Sequence, residues 1–179
     1  MTKSQLQGEA RLAAVRRQFS EHFTMEEFEE NSHDFTNCMP ADCIPMFEEF
    51  CAKILEPIRE LLGKPVQITS AYRCPRLNTV VGGVPDSFHV ATPLQCAVDF
   101  VVPGMTVQAA FDRIRLRSYL AIDKVIHEKR AGKEWLHVQW RRGLPPRRVA
   151  LIFDNGAWFK TEYRVMVPPV ANPELWGEA

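Results

Sequence analysis

The chain has no excess of charge of either sign: 22 Lys and Arg stand against 22 Asp and Glu. Such a balance gives no long-range pull towards nucleic acid or an anionic membrane surface, so neither is expected as a partner. No run comes near the roughly 18 consecutive apolar residues that would cross a bilayer. The opening Met1-Thr2-Lys3-Ser4-Gln5 leads into a polar, amphipathic stretch without the apolar centre of a signal peptide. The expectation is synthesis in a cytoplasm, with release by other means if the protein acts outside. Five cysteines (Cys38, Cys43, Cys51, Cys74 and Cys96) are odd in number and never spaced C-x-x-C, which favours reduced thiols over a disulfide framework. There is no internal repeat and no sign of a second domain.

What is present suits one globular unit. Hydrophobic residues make up 46% and charged residues 25% of 179 positions, enough to bury a sizeable core. Residues 5–19 carry Leu6, Ala10, Leu12, Ala13, Val15 and Phe19 at mixed helical spacing and predict an N-terminal helix. Thr24-Met25-Glu26-Glu27 is a capping box for a short second helix, with Phe23 placed to staple it. Residues 31–43 have no period and predict a loop. From Pro45, Met46, Phe47, Phe50, Ile54, Leu55, Ile58, Leu61 and Leu62 follow a 3.6-residue period up to Gly63 and Pro65. Pro57 inside that run predicts a kink or break.

Beyond it, alternation predicts strands at 66–70, 96–102, 124–128, 135–140 and 148–153. Asp154-Asn155-Gly156 supplies a hairpin turn into a last strand at 157–160. A helix is predicted over 106–116. Between the first two strands, 73–95 is rich in Pro, Gly and Asn and reads as one long loop, a length that usually signals function. A tail with Pro168, Pro169 and Pro173 closes the chain. The fold class is α+β, with helices first and a mainly antiparallel sheet second, in a single domain spanning 1–179.

The chemistry concentrates in two short blocks. Ser87-Phe88-His89 is followed by Ala97-Val98-Asp99-Phe100, and Glu134-Trp135-Leu136-His137-Val138 comes later. A lone histidine is more often a core or surface residue than a ligand. Here His89, Asp99 and His137 follow a long loop or lie on adjacent predicted strands, and two imidazoles with one carboxylate make the three-protein-ligand set of a catalytic zinc. Asp99 and His137 lie among apolar residues, where a solitary polar group is costly to bury and a metal is an efficient partner. Glu134 and Glu128 compete as general base. Residues three apart on a regular strand face opposite sides, so Glu134 can serve only from a turn or bulge before the strand, which Ala131-Gly132-Lys133 permits. His127 reads as structural or exposed. Arg73, just past a strand end, is a default surface arginine or a clamp for a substrate carboxylate or developing oxyanion.

Four blocks over 22–140 resemble the zinc D-Ala-D-Ala carboxypeptidases and their relatives, which include phage L-alanyl-D-glutamate endopeptidases and vancomycin-resistance dipeptidases. His22-Phe23-Thr24-Met25-Glu26-Glu27-Phe28 is similar to a phage-type opening. Ile68-Thr69-Ser70-Ala71-Tyr72-Arg73-Cys74-Pro75, with Asn78 and Gly82-Gly83, resembles the I-T-S-G-Y-R-S-P block. Ser87-x-His89 with Ala97-x-Asp99 resembles the ends of S-x-H-x-x-G-x-A-x-D, and Glu134-x-x-His137-Val138 resembles the closing E-x-x-H. The resemblance implies the fold shared with Hedgehog signalling domains and one zinc ion held by His89, Asp99 and His137. It implies Glu134 as general base over Glu128, Arg73 as substrate or oxyanion clamp, and Ser87 as substrate-binding. The implied partner is a peptidoglycan stem peptide, cut by a monomeric enzyme.

The chain departs from the pattern in three ways: its His89–Asp99 segment is longer and lacks the glycine, and Ala71 and Cys74 replace glycine and serine. Residues 141–179 fall outside the resemblance. Two other classes compete: a non-catalytic zinc-binding recognition module, against which a retained Glu134 argues, and a thiol amidase pairing Cys74 or Cys96 with a histidine.

Overall fold

The computed structural model describes residues 17–33, 36–117 and 119–161. The predicted N-terminal helix falls mostly outside that range, and its last residues, 17–19, are not helical. The proline-rich tail lies outside it altogether.

Helix α1, Met25–Glu29, forms where the capping box sits. Thr24 Oγ1 accepts the Glu27 N–H while the Glu27 carboxylate accepts the Thr24 N–H at 2.8 Å. Phe23 packs edge-on against Phe28 with ring centroids 6.4 Å apart, the expected staple. The predicted loop that follows holds one 3-10 turn, Ala41–Cys43.

The long periodic run is helical but not uniform. It comprises α2 (Ile44–Phe50), a π-helical turn at Cys51–Leu55, and α3 (Glu56–Leu62). A prolyl ring clashes with the carbonyl four residues back in a regular helix, and the widened turn just before Pro57 accommodates it. The turn closes with the Glu56 N–H donating to the Cys51 carbonyl. Gly63 ends α3 in the left-handed region at φ 63°, where a Cβ would be strained. Met46, Phe47, Phe50, Ile54, Leu55 and Ile58 are wholly buried.

Among the described residues, six strands form one sheet: β1 (Gln67–Ser70), β2 (Gln95–Val101), β3 (Lys124–Arg130), β4 (Lys133–Arg141), β5 (Val149–Asp154) and β6 (Ala157–Thr161). Their spatial order is β1-β2-β4-β3-β5-β6, with every neighbouring pair antiparallel except β3 and β5. The α+β expectation holds. Asn155 and Gly156 take positive φ in the hairpin turn between β5 and β6, as Asp-Asn-Gly predicts. The stretch 73–95 is not one loop, because α4 (Pro75–Val80) forms inside it. Proline at the first helical position lacks only an N–H that has no partner there anyway, and the Cys74 sulfur caps the Leu77 N–H. Helix α5 spans Val107–Arg115 with Thr106 as its cap.

The pleat divides the sheet's two faces. Val98, Phe100, Leu136, Val138, Val125 and Ala150 pack on one, under the helices. Phe50 meets Trp140 there at 6.1 Å, and Phe111 of α5 meets His127 at 5.9 Å. The opposite face carries Asp99, His137, Ile126 and Glu128, and it floors a cleft of about 690 Å³.

Candidate metal centre

Asp99 and His137 are cross-strand partners on β2 and β4, so the register alone brings their side chains together on the cleft face. His89 arrives from the loop after α4. His137 Nδ1 lies 2.7 Å from Asp99 Oδ1, and His89 Nε2 lies 3.2 Å from both Asp99 Oδ2 and His137 Nδ1. One ligand atom from each of the three lies within 4.8 Å of the others, and all three residues are buried. The Ala71 carbonyl accepts a hydrogen bond from His89 Nδ1 at 2.7 Å. With the proton on Nδ1, the Nε2 lone pair is left for a cation, which is how an outer hydrogen bond sets a ligating tautomer. Burial alone would raise the Asp99 carboxyl, but the adjacent His89 and His137 outweigh it and hold it well below the usual range. Two neutral-capable imidazoles and an ionised carboxylate at this spacing fit zinc.

Arg73 belongs to the same cluster. Its Nη2 donates to Asp99 Oδ2 at 2.9 Å, its Nε donates to Ser70 Oγ at 2.9 Å, and its backbone N–H donates to the His89 carbonyl at 2.8 Å. It therefore orients one candidate ligand directly and the loop of another. Ser87 lines the cleft, and its Oγ accepts the His89 N–H at 3.3 Å. Gly83 explains the Asn78 and Gly82-Gly83 pattern: a Cβ there would overlap Asn78 Oδ1, while Asn78 Nδ2 donates to the Val84 carbonyl at 2.8 Å. That contact shapes the turn leading to Ser87 and His89.

Glu134 is not where a base at this site would be. Strand β4 begins at Lys133 with no bulge, Glu134 pairs with Lys129, and its side chain lies on the opposite face from His137. There it accepts from His127 Nε2 at 2.9 Å, with Lys129 Nζ 3.8 Å away. His127 is wholly buried and its Nδ1 sits 3.1 Å from Gln108 Oε1 of α5, so of the two readings, structural or exposed, the structure has the first. The expected turn before β4 is too short to free Glu134, because Ala131 and Gly132 alone make it, both at positive φ. Glu128, the rival, is on the cleft face with Oε1 3.8 Å from His137 Nδ1. Burial raises its carboxyl above the ordinary value, with His137 opposing.

The thiol reading has no geometry behind it. Cys96 is wholly buried on the helix-covered face, and burial drives its thiol upward. Cys74 is committed to capping α4. All five cysteines are free.

Two site-building residues escape a reading of the sequence. Asn37, in the predicted loop, donates to the Glu29 and Tyr72 carbonyls and accepts the Cys74 N–H at 2.8 Å, pinning the Arg73 segment from both sides. Ser70 fixes the Arg73 guanidinium. An asparagine in a structureless stretch carries no signal of that role, but Ser70, three residues before Arg73, is within the motif block.

A model of the family described as Peptidase M15 matches residues 21–138. No curated protein matches the chain. The matched segment holds His89, Asp99 and His137 and stops before β5 and β6. It covers more than half of the chain, which therefore belongs to the M15 family of zinc D-Ala-D-Ala carboxypeptidase-like peptidases.

Proposed function

We propose that this protein is a zinc metallopeptidase that hydrolyses D-amino-acid-containing bonds in peptidoglycan stem peptides, as a phage-type endopeptidase or a carboxypeptidase. The observation that carries it is the buried His89, Asp99 and His137 cluster at the floor of an open cleft, with the Nε2 of His89 left for a cation by the Ala71 hydrogen bond. The three residues would hold the ion. Zinc supplies Lewis acidity that polarises a carbonyl and acidifies water. Arg73 holds Asp99 in place through its Nη2 hydrogen bond, and its remaining donors are available to charge developing on a peptide oxygen. Trp135 and Gln139 line the cleft, and their Nε1 and Oε1 atoms are buried without a hydrogen-bond partner among the described residues.

The non-catalytic recognition reading loses the argument from Glu134, since that side chain serves His127. Membership of a peptidase family and a second carboxylate in the cleft favour hydrolysis instead. The test joins metal analysis to digestion of purified muropeptides with products read by mass spectrometry. Wild-type protein is expected to carry about one zinc per chain, and His137→Ala to lose it along with all cleavage. Undiminished zinc in His137→Ala would reject the site; full loading with intact muropeptides would reject the substrate.

A further inference from the structure

The E-x-x-H pattern points to Glu134, and the sheet geometry removes it from the cleft. Lining residues with carboxylates number three: Asp86, Asp99 and Glu128. Asp99 is engaged by Arg73, His89 and His137. Asp86 is exposed on the loop before Ser87. Glu128 stands on β3, on the face it shares with His137 and Asp99, and its side chain is 21% exposed. The sheet places Trp135 beside it on one flank and Phe153 on the other. Its Oε1 reaches within 3.8 Å of His137 Nδ1, yet it stands outside the three residues whose ligand atoms are mutually within 4.8 Å. It is close enough to face whatever those ligands hold, and too far out to complete the set.

We propose that Glu128, supplied by the neighbouring strand, is the general base of this peptidase, in place of the glutamate of the E-x-x-H pattern. The inference rests on the hydrolytic reading above. In the forward step the attacking water gives one proton to a Glu128 carboxylate oxygen as its oxygen bonds to the scissile carbonyl carbon. Glu128 then delivers that proton to the amide nitrogen as the C–N bond breaks, so the carboxylate is regenerated and one water is consumed. Glu134 has a different duty: through His127 it ties β3 and β4 to Gln108 of α5.

The experiment compares zinc-loaded wild type, Glu128→Gln and Glu134→Gln. Both variants are expected to keep wild-type zinc content. Glu128→Gln should lose on the order of 10²–10⁴-fold in kcat on muropeptides with little change in KM, whereas Glu134→Gln keeps turnover near wild type. Glu128→Ala should regain part of the lost rate when formate is added, a response that no structural defect gives. A second arm needs no substrate: acetohydroxamate transfers its proton to a neighbouring carboxylate when it binds, so its affinity for zinc-loaded protein should fall about tenfold or more in Glu128→Gln and stay unchanged in Glu134→Gln. Loss of zinc from Glu128→Gln would make Glu128 a ligand and overturn the proposal. Unchanged hydroxamate affinity, or full turnover in Glu128→Gln with collapse in Glu134→Gln, would overturn it too. Failure of wild type to cut muropeptides would count against the wall substrate, and the hydroxamate arm would still decide the role of Glu128.

Discussion

At the scale of single residues, Arg73 has the most divided loyalties. Its side chain is 16% exposed and spends Nε on Ser70 and Nη2 on Asp99, so it is built into the metal cluster before any substrate arrives. A guanidinium fixed in this way suits an oxyanion or a general backbone clamp better than a mobile hook for a chain terminus. Arg73→Ala is therefore expected to loosen zinc, by about 10–100-fold as losses of ligand-orienting partners do. On a peptide and its C-terminal amide, kcat should fall alike, with KM little moved. Loss confined to the free acid would assign Arg73 to a terminal carboxylate and the enzyme to carboxypeptidase action. Zinc titration and the paired substrates separate the two effects.

At the scale of elements, the shortest helix matters more than its length suggests. Helix α1 is only Met25–Glu29, too short to persist alone, and its capping box and aromatic contacts hold it. Phe28 is wholly buried, with ring centroids 5.0 Å from Phe19 and 5.3 Å from Phe47, and its carbonyl accepts the Tyr72 N–H at 3.0 Å. The helix thus braces the residue just before Arg73. Phe28→Ala should cost about 3–5 kcal/mol of stability by cavity formation, and Thr24→Ala about 1 kcal/mol by loss of the cap, both measurable as urea midpoints at unchanged slope. A Phe28→Ala cost below that of the cap would mean the cluster collapses into the space.

These elements were legible because their signals are local: the capping box, the 3.6-residue period up to Gly63, the alternation around Asp99, and the Asp-Asn-Gly turn. Pro57 gave away a disruption, although not that it would be a π turn. Helix α4 was hidden because Pro, Gly and Asn mark both loops and helix starts. The ligands were legible by residue type and resemblance, but their meeting depends on the β2–β4 register, which no short window contains. Glu134 shows the same limit from the other side. Lys133 and Glu134 look like turn residues, yet pairing with Arg130 and Lys129 extends β4 over them, and the parity of the pleat then points Glu134 away from His137.

At the scale of the whole molecule, the sheet outgrows the segment that carries the family match. Strands β5 and β6 lie beyond residue 138, and β5 joins the edge of β3 in parallel after a crossover through 142–148. Asp123 holds that crossover. It is 1% exposed at its side chain, and its carboxylate accepts from Arg141 Nε at 2.8 Å and from Arg147 Nη2 at 2.6 Å, as well as from the Arg147 backbone N–H. Its own carbonyl accepts the Val149 N–H at 3.1 Å, which starts β5. Burial would raise this carboxyl, but Arg147 and Arg141 outweigh it and hold it below its usual range. A group depressed in the folded state stabilises fully above its unfolded value, about 3.9 for Asp, and that stability drains away as pH falls through the lower folded value. Asp123→Asn should therefore lower Tm at neutral pH. Removing one member of a buried pair costs roughly 3–5 kcal/mol, and the cost here is smaller because the Arg147 side chain is 46% exposed. The gap between variant and wild type should shrink below about pH 4, and amide exchange in β5 should quicken in the variant before that in β2 and β4, which have their own partners. A gap that stays constant down to pH 3 would show that Asp123 acts through packing and hydrogen bonding alone, without the charge.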